Sequence, residues 1–154
     1  MKSKRPHLRA LAFTLLGTLL ATIAVTGQAS DNAAPAPLAL RKIMHDLGKS
    51  MQAITQGIST EEWALVAKTA ALIADHPQPP LGEKMRILGF IGTDSVKFKN
   101  HDEKTKQASL ALQQTALLQD GPGVIAAFAH LQNTCLACHQ GFRTSFTSHF
   151  YAKH

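Results

Sequence analysis

An all-α chain folded as an antiparallel four-helix bundle is predicted by three features of the 154-residue sequence. Apolar side chains recur at spacings of four and three through four separate stretches, the period of a helix with one buried face. The period-two alternation of a half-buried strand is almost absent. The break between the first two stretches is very short, which makes the helices it joins antiparallel neighbours. The length allows at most one modest domain.

Residues 1–29 read as an export signal. Lys2, Lys4, Arg5 and Arg9 form a basic start, Ala10 to Val25 is an uncharged apolar run, and Gly27 and Ala29 are the small residues a signal peptidase requires. The run is short for a membrane span, so cleavage near Ala29 is expected, and a membrane becomes a partner only where the segment is retained. Removing residues 1–29 takes away four basic residues and no acidic ones, which leaves 12 basic against 10 acidic, or +2. The basic character of the full chain is therefore mostly the signal's. No basic stripe with interleaved aromatics follows it, which argues against nucleic acid as a partner.

Residues 30–37 (Ser-Asp-Asn-Ala-Ala-Pro-Ala-Pro) form a flexible lead-in. The domain proper is expected over 38–148, with 149–154 a polar tail. Leu40, Met44, Leu47, Met51, Ile54 and Ile58 lie on one stripe of a first helix over about 38–57, which Gly57 is expected to stop. A second helix begins at Ser59 or Thr60, with Ser59 and Glu62 as a capping box. It buries Trp63, Val66, Ala70 and Ile73, and ends at His76-Pro77-Gln78-Pro79-Pro80.

Residues 81–93 predict a long connection interrupted by Gly82, Gly89 and Gly92, packing Met85, Leu88 and Phe90 inward. A third helix spans about 94–118, with Phe98, Thr105, Ala108, Leu112 and Ala116 inside and a charged, solvated first half. Asp120-Gly121-Pro122-Gly123 opens the fourth, which runs to about Thr147. Its inner positions, Val124, Phe128, Leu131, Cys135, Cys138 and Phe142, keep the same spacing to the end.

That last stripe carries the chemistry. Cys135-Leu136-Ala137-Cys138-His139 has the spacing for covalent attachment of c-type haem: each thiol adds to one vinyl group, and the next imidazole reaches the iron. A thioredoxin-like dithiol would need a neighbouring βαβ pattern, and zinc would need a second pair of ligands. Neither is evident. With both cysteines on the apolar seam, a single covalent haem c enters the helical interior.

The signal, the four helices, and the Cys-x-x-Cys-His motif on the last helix followed by Phe142-Arg143 closely resemble the class II cytochromes c, the cytochrome c′ superfamily. Met44 and Gly48, spaced Met-x-x-x-Gly just after Arg41-Lys42, resemble its low-spin branch. The resemblance implies His139 and Met44 as axial iron ligands, with Met51 the next candidate and Met85 a weaker third. It also implies Arg143, one turn beyond His139, as a cofactor-binding contact to a propionate or the proximal pocket, with Arg41 and Lys42 as further candidates for propionate contact. Met44 as a core filler and Arg143 as a helix C-terminal cation are the structural alternatives. His45 and the remaining histidines receive no haem role.

The function this implies is a periplasmic electron carrier that docks weakly and transiently to redox partner proteins; it is not an enzyme. An open sixth position gives the alternative, a five-coordinate haem protein binding NO or CO. Free thiols give a weaker one, a thiol–disulfide oxidoreductase. Class II relatives often pair through their first two helices, so a homodimer is a further expectation.

Overall fold

The computed structural model describes residues 38–152, and within them the chain is all helical. The expected signal segment, the lead-in and His154 lie outside the described residues. No helix among those described is long and apolar enough to cross a membrane. Five α-helices follow in order: α1 (Ala39–Ser59), α2 (Trp63–Ala74), α3 (Leu81–Ile91), α4 (Ser95–Leu117) and α5 (Gly121–Tyr151), with a 3₁₀ turn at Gly92–Asp94. Extensive packing joins α1 to α2, α2 to α4 and α4 to α5. The fourth edge, between α1 and α5, is only sparsely closed.

Two turns set this arrangement, and they share one design. After α1, the Glu62 amide donates to the Gly57 carbonyl (2.8 Å) and the Glu61 amide to that of Ile58 (3.3 Å). After α4, Asp120 bonds back to Thr115 (3.4 Å) and Gln119 to Ala116 (3.0 Å). These are paired Schellman bonds, and each reverses the chain within three residues. The left-handed position usually held by glycine is Glu61 in one turn and Gln119 in the other, both at φ 56°.

Gly57 has a different task from the expected helix stop. A Cβ there would lie 2.9 Å from Cγ2 of Val66, so its bare backbone is what lets α1 approach α2. The capping box is not formed. Ser59 ends α1, where its hydroxyl donates to the Thr55 carbonyl, and Glu62 is the residue preceding α2, without a side-chain cap. Asp120 does cap α5, accepting from the Gly123 amide at 3.1 Å.

The connection expected over 81–93 is instead helix α3, closed by Gly92 at φ 59°. Gly82 and Gly89 each cost about 1 kcal/mol relative to alanine in a helix. That cost is outweighed because Ile87 is buried and Phe90 and Ile91 pack against a core cluster. Ile87 replaces Met85 as the inward residue, and Met85 is exposed. At the other end, α5 continues through Tyr151, so residues 149–151 of the expected tail are helical. The His149 ring stacks on Phe90 at 4.1 Å between centroids.

The core falls into two clusters. The larger contains Ile54, Val66, Ala70, Ile73, Leu112, Val124 and Leu131, with Leu47, Met51, Phe128 and Cys135 packed against it. The second contains Leu38, Ile87, Phe142 and Phe146, flanked by Phe90, Phe98, Cys138 and Tyr151.

Candidate haem site

Cys135 and Cys138 lie on one face of α5 a turn apart, both half-buried and unpaired. They stand where the core divides, since Cys135 packs on the larger cluster and Cys138 on the aromatic one. Helical periodicity alone puts both sulfurs on the seam. The division of the core beside them is a tertiary result.

The electrostatics of the two thiols agree. Burial raises the pKa of Cys135, partly offset by the neighbouring Thr134 hydroxyl. Burial, followed by the charges of Asp102 and Cys135, pushes the Cys138 thiol up to about 11. A dithiol exchange catalyst needs the opposite, an attacking thiol lowered toward ambient pH, commonly at a helix N-terminus. These cysteines sit in the interior of α5, away from its positive end.

His139 follows at once on a more exposed face. Surrounding protein, and then the Arg143 guanidinium one turn on, hold its imidazole below its ordinary pKa. The neutral ring so favoured is the form that binds a metal. Arg143 is exposed.

Across the seam, Leu38 shares a cluster with Phe142 and Phe146, while Ile54 shares the other with Leu131. α1 and α5 therefore run antiparallel. Met44 lies on α1 between these two levels, which fall at positions 38 and 54. The side chain itself is 41% exposed and belongs to neither cluster.

Ile43, unremarked in the sequence reading, is the buried residue of that turn. One position of a helix is about 100° of rotation, so burying Ile43 moves Met44 to the margin of the stripe. Met51 packs against the larger cluster, as a core methionine does. Arg41 lies over the Tyr151 ring, 5.4 Å from its centroid, at the α1 N-terminal end.

The residues present fit a covalently held porphyrin. Two half-buried thiols stand at the required spacing on one face of α5, with a neutral-leaning imidazole next in the chain. Gly48, one turn after Met44, has no atom within 4 Å of where a Cβ would stand, so α1 presents bare backbone there. Among the described residues, no group of three or more His, Cys, Asp and Glu side chains gathers around a single point. Two open grooves beside α4, one lined by Lys97, His101 and Lys104 and the other by Ala108, His130 and Thr134, include neither cysteine nor Met44.

One polar pair near Cys138 has no counterpart in the sequence reading. The His76 Nδ1–H donates to the Ile73 carbonyl (2.9 Å), which leaves Nε2 3.3 Å from Oδ1 of Asp102 on α4. Nothing local announces the pair, because its members come from different helical segments. The bond to Asp102 raises the His76 pKa against the opposing effect of burial, and lowers that of Asp102 in return.

The histidine's contribution to stability is complete below its unfolded value of about 6.5 and is lost as pH rises through the raised folded value. The aspartate's contribution is present above its unfolded value of about 3.9 and is lost as pH falls through the lowered one. The pair therefore stabilises most between about pH 4 and 6.5. In urea titrations, His76→Gln is expected to flatten the fall in midpoint as pH rises from about 6 to 8. A fall identical to the wild type would assign that dependence to other groups.

No protein-family model, curated protein or solved structure matches the chain.

Proposed function

We propose that the chain is a class II c-type cytochrome that carries electrons outside the cytoplasm through one covalent haem in a four-helix bundle. The observation that carries the reading is the position of Cys135 and Cys138. They are half-buried, one turn apart, where the core separates into two clusters. Haem bound there supplies a one-electron iron couple whose potential depends on the axial ligands and on the polarity around them.

The remaining work belongs to the chain. Cys135 and Cys138 would hold the group through thioethers, and His139 would offer a neutral nitrogen. Phe128, Leu131 and Phe142 on the same face supply apolar walls that keep water away. Met44, on α1, would supply a thioether sulfur, which favours the reduced state relative to an open position. Arg143 and Arg41 are the cations available to balance propionate charge. Redox partner proteins would dock weakly at the exposed edge.

A second reading is favoured by one specific observation. Met44 is 41% exposed and lies outside both clusters, so a version with that side chain turned away leaves the sixth position to NO or CO. Absorption spectra of the purified chain, oxidised and reduced, separate the two. A low-spin ferric spectrum supports the carrier, and a high-spin one overturns it in favour of gas binding. Intact mass equal to Ser30–His154 plus one haem tests signal cleavage and attachment together.

A further inference from the structure

The first turn of α1 has no cap of its own. Leu38 precedes it without a side-chain bond, and its first turn contains no acidic residue. A helix leaves its first four amides without partners, and here two of them are satisfied from another element. The Ala39 amide donates to Oε2 of Glu83 at 2.7 Å, and the Leu40 amide to Oε1 at 2.8 Å. Glu83 stands in the first turn of α3.

A serine or aspartate at position 38 could have capped this helix locally. A remote carboxylate satisfies the same amides and also couples two elements. The tie is reinforced around it: Arg41 lies over the Tyr151 ring, and Tyr151 packs with Leu38 and Ile87 at the second cluster. Of its neighbours α1 packs extensively against α2 and only sparsely against α5, so α2 and this clasp are what set the course of α1. Met44 lies one turn beyond, about 6–8 Å along a rigid helix.

We propose that Glu83 is a positioning residue: by tying the α1 first turn to α3, it sets whether the Met44 sulfur reaches an iron held by His139. This rests on the electron-carrier reading above and adds a residue that the haem motif does not contain. Loss of the clasp frees the first turn of α1 to fray. The population with Met44 withdrawn then rises, and exogenous ligands bind in proportion to that population.

The test uses the full haem-loaded protein, with carbon monoxide as the probe of the reduced state. The variants are Glu83→Ala and Glu83→Gln, with Glu103→Ala as a control for charge; Glu103, exposed on α4, bonds only to Gln107 among the described residues. Glu83→Ala is expected to lose part of its low-spin spectrum and to raise apparent carbon monoxide affinity about tenfold or more. Glu83→Gln keeps one acceptor oxygen and should fall between Glu83→Ala and the wild type, with the control unchanged. This ordering also decides the matter where Glu83→Ala folds poorly. A low-spin wild type whose Glu83 variants match it in spectrum and affinity overturns the clasp alone. A high-spin wild type overturns the carrier reading and the clasp together.

Discussion

Replacing both Cys135 and Cys138 by serine is expected to abolish covalently held haem, leaving a colourless polypeptide after denaturing electrophoresis. Each thioether needs its own sulfur, and the chain has no third cysteine to substitute. Either single variant retains one attachment point, so it should keep a haem band of reduced yield. The measurement is haem staining of the denatured protein, with intact mass in parallel.

The same variants discriminate against the dithiol reading. A thiol held near pKa 11, like Cys138, carries only about one thiolate in ten thousand at pH 7, too little for efficient exchange. A wild type with two thiols reactive toward alkylating agents, no haem, and disulfide-exchange activity lost in the serine variants would reverse the whole account.

The second large effect is expected at Met44. Met44→Ala should convert a six-coordinate iron to an open one, so the reduced protein passes from excluding carbon monoxide to binding it stoichiometrically. The reduction potential should fall, because thioether ligation favours the ferrous state. Stability should change little by comparison. Met44 is 41% exposed and outside both core clusters, so its truncation leaves no buried cavity of the kind that costs about 2–5 kcal/mol. Absorption spectra with and without carbon monoxide, together with urea denaturation, separate the two effects. A low-spin spectrum unchanged in Met44→Ala would transfer the ligand to Met51, whose packing against the larger cluster makes it the next methionine to replace.

These two experiments fall on either side of what could be read before any tertiary structure. The spacing of Val124, Leu131, Cys135, Cys138 and Phe142 follows from the pitch of a single helix, so placing both sulfurs on a buried seam needed only the order of residues. Helices α1, α2, α4 and α5 were legible for the same reason, each within a few residues of its observed bounds. Helix α3 was not. Its two glycines, with Gly92 just beyond, weigh against a helix locally, and the compensation comes from Ile87, Phe90 and Glu83 meeting residues of other elements. The Schellman turns at Glu61 and Gln119 were hidden likewise, because the glycine that normally marks such a position is absent.

The order of residues by itself determined the all-helical character, the helices that would lie side by side, and the face of α5 bearing the Cys-x-x-Cys-His motif. Those properties depend on neighbours within a turn or two, where chain geometry is nearly invariant. Tertiary packing alone decided that Ile43 takes the buried place beside Met44, that Glu83 caps a helix far from it in the chain, and that His76 meets Asp102. Each of these depends on how helices are rotated and inclined against one another. A rotation of one residue's worth, about 100°, changes which side chain faces inward, and it is set by the sum of contacts across the core.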